Sequence, residues 1–483
     1  MGLKSTLQVL VPAFIISLGG SFHYGYQLTV INPSENTFRS FINDSYYSHQ
    51  GEYLGEIQWT YIWPFIVQMQ TLGGLIGTFF VKYVLEKWGR KRSFYFTNAA
   101  TSITCAVQAI SQPANSWELF LIGRLLCGAA QGVQLGLQSI YFNEISKRST
   151  RGLIGSMTGF ILEVGFMVAS ILALPVILGS ISTWPYLFLI EGSISVMCLI
   201  AIPFFPESPK YLVMRGNYAE AAEALRRFGR NEEEIKGELN EIRQELSIGT
   251  AKSMPLKEIF STPYIRKGVL LGWLVMFSSI YSGIGNFSNF STSILINSGL
   301  SQTDAQYGTV GITAPCVLGA LLGSAIVDRL GRRPVMLISM SVMVILNVLC
   351  IIFAHLTRVY GVEWSGYISV AVISLIALMF GLGPASAMWF LTVELVPMKA
   401  RPLAQTMAMI VLRCSAGTAG FLFYPLQRMV REFSFLLHVV PLTISIVCLA
   451  MFLPETKNKT TAEIMKELGC KDNDDGDMQM QKF

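Results

Sequence analysis

Twelve apolar runs decide what this chain can become. They cover roughly 7–30, 57–81, 93–112, 117–141, 153–178 and 184–205, then 266–290, 306–327, 334–356, 366–391, 402–425 and 434–453. Each is close to the ~20 residues a helix needs to cross hydrocarbon, where backbone groups must bond to one another. Only 14% of residues are charged and 52% are hydrophobic, against ~25% charged in soluble domains. These runs predict an all-α membrane protein of twelve transmembrane helices. The first run is too long for a removable secretory segment. The one long charged interval, 207–262, separates two sets of six. The chain therefore divides into an N-terminal six-helix bundle at 1–206, a cytoplasmic helical linker at 207–262, a C-terminal bundle at 263–453 and a cytoplasmic tail at 454–483.

One short pattern occurs twice. Glu86-Lys87-Trp88-Gly89-Arg90-Lys91 and Asp328-Arg329-Leu330-Gly331-Arg332-Arg333 both read acid, cation, bulky apolar, Gly, Arg, cation. Such a basic turn must stay in water, and Gly permits its sharpness. Its recurrence in both halves points to a duplicated chain, a mark of transporters. Other echoes follow. Glu144 precedes Arg151-Gly152 and Glu394 precedes Arg401-Pro402, while Pro206-Glu207-Ser208-Pro209 and Pro454-Glu455-Thr456-Lys457 end the sixth and twelfth runs. Glu86, Arg90, Glu144, Arg151, Asp328, Arg332, Glu394 and Arg401 are candidate gating residues. Their pairs can hold one side shut in one state and release it in another, or can serve only to set topology.

Lys and Arg collect on one side, which the positive-inside rule makes cytoplasmic. Both termini then lie inside, and the loop 32–56 lies outside. That loop holds Asn43-Asp44-Ser45, an N-glycosylation acceptor pattern. In the linker, Asn217 can cap a helix through Phe228, and Asn231 with Glu234 forms a capping box. Ile235, Leu239, Ile242 and Leu246 then recur at helical spacing. These helices are either a latch across the two halves or a solvated connector. The eight cysteines and four histidines show no metal or disulfide spacing, and no phosphate-binding Gly-rich motif is present. No cofactor, metal site, nucleic-acid partner or enzymatic constellation is predicted. The partners are a small solute and the bilayer.

Gly25-Tyr26 with Val30-Ile31-Asn32, Gly89-Arg90-Lys91, Gly123-Arg124, Asn143-Glu144, Arg151-Gly152, Glu207, Gly331-Arg332-Arg333, Gly383-Pro384, Glu394, Arg401-Pro402 and Glu455 together resemble the animal facilitative glucose-transporter family. This is part of the sugar-porter branch of the major facilitator superfamily. Ser21-Phe22-His23-Tyr24-Gly25-Tyr26 resembles its class II branch, and Trp184-Pro185 with Gly383-Pro384-Ala385 points to one member there. The resemblance implies two six-helix bundles rocking about a central site, passive transport of a hexose-like sugar such as fructose or glucose, and a plasma-membrane location.

At the positions implied for the central site, this chain departs from the family. Gly159 stands for the fifth-span Gln, Ser279-Ile280 for the seventh-span Gln pair, Gly285 for an Asn and Cys316 for the eighth-span Asn. Trp389, counted back from Glu394, falls at the tenth-span Trp. Nearby polar groups are Tyr24, Gln27, Asn286 and Asn289. Two charges are added: Glu163, one helical turn beyond Gly159, and Arg413, in place of the eleventh-span Trp. They can pair across the cavity or each line water. Gln27 stands where proton-linked relatives carry Asp, and an amide cannot titrate, which favours uniport. The alternatives are a carrier of a small organic anion, drawn by Arg413, and a sensor or scaffold that kept the fold.

Overall fold

The computed structural model describes residues 3–146, 151–247, 254–362, 364–397, 399–459 and 461–470, apart from the side chains of 3–6, 151–153, 244–247, 324 and 328. Ten stretches among them are long and apolar enough to cross a membrane. Two of the ten are double. Glu56–Ile110 has 55 residues, and at ~1.5 Å per residue it would reach about 80 Å, far beyond a hydrocarbon core of ~30 Å. It breaks at Gly89, where φ is 77° and ψ is −171°. Arg401–Phe452 breaks at a short 3₁₀ turn, Arg431–Phe435. Twelve spans result, in a protein without strands among the described residues.

The first span is Leu7–Thr29, and the second and third flank Gly89. The fourth is Trp117–Ile145, the fifth Arg151–Leu172 and the sixth Pro185–Phe204. In the other half, the seventh to tenth are Pro263–Asn297, Gln302–Leu330, Arg332–Tyr360 and Trp364–Glu394. The eleventh is Arg401–Val430 and the twelfth Leu436–Phe452. The two halves meet most extensively along two seams, second span against eleventh and fifth against eighth. Small residues let helices approach without a hydrophobic drive. A Cβ on Gly132 would lie 2.2 Å from the Gly74 carbonyl oxygen, so the fourth span seats directly on the second. Three spans are interrupted near mid-depth: a π turn at Leu18–Phe22 in the first, Gly283 with φ 97° in the seventh, and Gly383 before Pro384 in the tenth. Irregular backbone at membrane depth belongs where protein or a cavity surrounds it.

The segment 32–56 is not an open loop. Glu35–Gln50 forms a helix there, because Phe38 and Phe41 find an aromatic bed: Phe38 lies 4.9 Å from Trp184 and 5.3 Å from Phe120. Asn43 sits inside this helix with its Oδ1 buried, and the Ser45 hydroxyl donates to the Asn115 carbonyl at 2.7 Å. The acceptor tripeptide is thus folded into a packed surface.

The linker carries helices Pro209–Met214, Tyr218–Arg227, Glu232–Ser247 and Leu256–Ser261. Asn217 caps through the Glu220 N–H at 3.4 Å, and Asn231 and Glu234 exchange both bonds of the box, at 2.8 and 3.0 Å. Arg230 donates to the Ile145 carbonyl at 2.9 Å, and Phe228 joins the core of the first half. Ile259 instead packs with Val396, Ala400 and Ala404 of the second half. The start of the linker thus docks on the N-terminal half and its end on the C-terminal half. The side chain of Leu246 lies outside the described residues. The first part of the tail folds back too, as Thr461–Glu467, with Ile464 and Met465 buried.

Candidate functional site

The repeated turn builds the same anchor twice. After Gly89, the N–H groups of Arg90 and Lys91 donate to the Glu207 carboxylate at 3.2 and 3.1 Å. After Gly331, those of Arg332 and Arg333 donate to Glu455 at 3.0 and 3.1 Å. A carboxylate here meets the unsatisfied N–H groups of a helix start. Glycine is required on two counts. Both backbones have positive φ, and a Cβ would fall 2.8 Å from Glu207 Oε2 at Gly89 or 2.6 Å from Glu455 Oε2 at Gly331. The next cations repeat as well. Lys91 Nζ donates to the Pro203 carbonyl at 2.7 Å, and Arg333 Nη2 to the Ala450 carbonyl at 2.6 Å.

The candidate gating pairs sit beside these anchors. Arg90 grips Glu144 through two bonds of 2.8 and 2.6 Å, and Arg332 lies 3.7 Å from Glu394. Arg401 donates to the Val396 carbonyl at 3.3 Å and to the Thr461 hydroxyl at 3.1 Å. Every one of these contacts stays inside one half. Glu86 is exposed and stands 3.9 Å from Lys82 of its own helix, so it takes no part in this network. The side chains of Arg151 and Asp328 lie outside the described residues.

The opposite side is closed by bonds between halves. Asn32 Nδ2 donates to the Ser288 carbonyl at 2.9 Å and to Ser291 Oγ at 2.8 Å, while the Thr292 N–H donates to Asn32 Oδ1 at 3.3 Å. Thr29 donates to the same Ser288 carbonyl at 2.6 Å, and Gln306 to the Pro33 carbonyl at 2.9 Å. At the rim, Tyr424 donates to Glu35 at 2.8 Å and Arg428 lies 3.5 Å from Glu56. Burial pushes the Glu35 carboxyl up to about 7, against the lowering effects of Tyr424, Arg428 and Arg39. Only Asn32 of this set carried a sequence signal.

Between the two ends, the seams hold the charges. The Arg413 guanidinium lies 4.2 Å from the centre of the Tyr24 ring, so its contact crosses the halves. It is 1% exposed, and its Nε and Nη2 have no hydrogen-bond partner. Gly74 makes room for it: a Cβ there would stand 3.0 Å from Arg413 Cζ. Glu163 instead lies beside Cys316 of the eighth span. No ion pair joins Glu163 to Arg413 among the described residues in this state. The reason is geometric. Glu163 lies in the seam of the fifth and eighth spans, and Arg413 in that of the second and eleventh.

The other expected contacts divide. Gly159 lets the tenth span approach, since a Cβ there would lie 3.0 Å from the Ala385 carbonyl; one turn earlier, Phe390 covers Gly155. Gly285 faces open space. Ser279 donates to the Val275 carbonyl at 2.7 Å, Asn289 Nδ2 to the Gly285 carbonyl at 2.8 Å and Asn286 Nδ2 to the Ala419 carbonyl at 3.3 Å, so these donors have partners inside the second half. Ile280 is half-buried. Trp389 keeps a buried, unbonded indole N–H. Two amides that the sequence reading passed over are open at both ends. Among the described residues, only Gln68 and Gln134 have both amide atoms buried and unbonded. Gln68 crosses the seam, its amide lying against Gly420 of the eleventh span.

Gln27 is not at the seam. Its Nε2 donates to Glu191 at 2.6 Å and its Oε1 accepts from Arg124 at 3.3 Å. Around it, His23 Nδ1 stands 3.4 Å from Glu191 and His23 Nε2 lies 3.0 Å from Ser195. This network ties the first, fourth and sixth spans inside the N-terminal half. The ligand atoms of Cys105, Cys127 and Glu191 fall within 4.8 Å of one another, a convergence of three helices that linear spacing does not reveal. Position 27 thus puts an amide rather than a carboxylate against Arg124, while Glu191 is the carboxylate of the network.

Comparison with known proteins agrees with this architecture. Residues 12–468 match the family model described as "Sugar (and other) transporter". The chain is 29% identical to solute carrier family 2, facilitated glucose transporter member 5 from Homo sapiens, over 95% of this chain and 92% of that one. It is 29% identical to member 9 of the same family from Mus musculus, over 95% and 86%. Among solved structures, the proton:xylose symporter XylE bound to 6-bromo-6-deoxy-D-glucose superposes with a TM-score of 0.76, at 18% identity, over 96% of this chain and 99% of that one.

Proposed function

We infer, since this chain belongs to the sugar (and other) transporter family, that it carries a hexose-like sugar passively across the membrane by alternating access. It is a multi-pass membrane protein and a transporter rather than an enzyme. The observation that carries the reading is the pair of open amides, Gln68 and Gln134. A buried amide with no partner costs free energy, and a polyol supplies both donors and acceptors to it. These two amides, with Tyr24, Trp389 and Arg413 Nε and Nη2, take the place of the lost Gln and Asn positions. The closed side, with Asn32, is then outside. The anchors, both termini and the linker face the cytoplasm of a plasma-membrane protein, with rocking halves at 1–206 and 263–453. Gln27 cannot exchange a proton, which supports uniport. Trp184-Pro185 and Gly383-Pro384-Ala385 support a place near the eleventh member of the glucose-transporter family. The organic-anion and scaffold alternatives have less behind them, because the family relatives are named as glucose transporters.

The test is a panel of radiolabelled hexoses, polyols and urate taken up by proteoliposomes. Hexose uptake should dominate, and no solute should accumulate above equilibrium under an inward proton gradient. Gln68→Ala and Gln134→Ala should each weaken sugar affinity about two- to tenfold, the range of one neutral hydrogen bond. Saturable urate uptake without hexose uptake would replace this reading with the anion carrier.

A further inference from the structure

Away from the seams, a groove of about 370 Å³ opens on the flank of the N-terminal half. Leu7, Val11 and Pro12 of the first span form one wall, and Phe204, Phe205 and Pro206 after the sixth span form the other. Leu7 and Val11 are each 49% exposed and Phe204 is 76% exposed. Bulky apolar groups left open on membrane-crossing helices have hydrocarbon as their natural neighbour. The lining also includes one cation, Arg227, at the end of linker helix Tyr218–Arg227. Arg227 is 60% exposed and its ion pair is a weak one, 3.5 Å to Glu223 of its own helix. Lys91 is near enough to feel the charge of Arg227, and its amine is fixed to the Pro203 carbonyl, beside the Phe204 wall.

We propose that this groove binds a phospholipid with an anionic headgroup, one acyl chain lying along Leu7, Val11 and Phe204 and the phosphate sitting between Arg227 and Lys91. The complementarity has two parts. The apolar slot fits a hydrocarbon chain and would add nothing for a soluble anion. The two cations at its mouth repel each other and favour a headgroup that keeps a net negative charge over a zwitterionic one. Such lipids are concentrated on the cytoplasmic leaflet, where basic residues near the surface attract them. The bound lipid would touch the first span, the end of the sixth and the linker helix together. It would thereby brace the linker beside the Gly89 anchor.

Native mass spectrometry of the full chain, with phosphatidylglycerol or phosphatidylcholine offered at equal concentration, tests this. The wild type should retain phosphatidylglycerol in preference. Arg227→Gln should weaken that retention about fivefold, the contribution of one cation near a membrane surface, and leave phosphatidylcholine unchanged. Arg227→Lys should keep the preference. Val11→Trp, which fills the groove at a half-exposed position, should lower retention of both lipids. Equal unfolding temperatures in lipid-free detergent would establish that the variants fold. Equal retention of the two lipids by the wild type, or no effect of Arg227→Gln, overturns the proposal. So does stabilisation by inorganic phosphate alone that matches that of the lipid, since it would show a simple anion site.

Discussion

Replacing Asn32 by Ala should open the outer side. Asn32 makes three of the bonds between the halves: two donated to Ser288 and Ser291, and one accepted from the Thr292 N–H. A neutral hydrogen bond is worth about 0.5–1.5 kcal/mol net, so three give about 1.5–4.5 kcal/mol. In the outward-open state the same groups bond to water, so the loss falls on the closed state alone. At about 1.4 kcal/mol per decade, the open-to-closed ratio should rise between about tenfold and about a thousandfold. Ser291→Ala removes one of the three bonds and should give a smaller shift in the same direction. Spin labels at exposed Asp44 and Gln302, on a background freed of accessible thiols, read the distance between the outer ends of the halves. The distribution should move to longer distances in Asn32→Ala and partly so in Ser291→Ala. An unchanged distribution would refute the reasoning, because it would mean that apolar packing alone holds this side shut.

Outer pH should act through Glu35. Its carboxyl titrates at about 7 when it is packed under Tyr424, against an ordinary 4.5. The closed state therefore binds the proton more tightly, so its closure is strongest at low pH and is lost as pH rises through about 7. The same spin-label distance should report this, and Glu35→Gln should abolish the dependence. Gly89→Ala and Gly331→Ala should each lower the unfolding temperature, since both put a Cβ on a positive-φ backbone within 3 Å of an anchoring carboxylate; an unchanged temperature in either would show that the anchor can shift. A double-mutant cycle on Glu163→Leu and Arg413→Leu should give a coupling near zero, within about 0.5 kcal/mol, as for separated sites. A larger coupling would mean that the two charges meet in another state of the cycle. Tyr24→Phe should preserve the behaviour of Arg413 and Tyr24→Leu should alter it, because the ring face holds the cation.

The anchors were legible because they are local and occur twice. Gly89 and Gly331 announce a break by their type, and the acids that meet them end a run in each half. The linker caps at Asn217 and Asn231 were legible for the same reason. The site was not. Glu163 and Arg413 were both read as charges at membrane depth, but their partners depend on helix rotation and on which spans adjoin. Sequence spacing fixes neither. Gln27 looked like a cavity residue until the sixth span brought Glu191 to it. Gln68 and Gln134 gave no signal, because nothing in an apolar run marks which amides the packed helices leave without a partner. The helix Glu35–Gln50 was hidden because its stability comes from Trp184 and Phe120, far away in the chain.

The strong ionic grips, Arg90 to Glu144 and the two carboxylate anchors, lie within the halves, whereas mostly neutral bonds join one half to the other. Each half is thus a stiff lever and the outer seam a soft one. A solute that forms a handful of hydrogen bonds in the centre works on the same energy scale as the seam itself. Its arrival can tilt the balance between the two open states without any external energy source. The stiffness of the levers carries a change of a few bonds at mid-depth to both faces of the membrane at once.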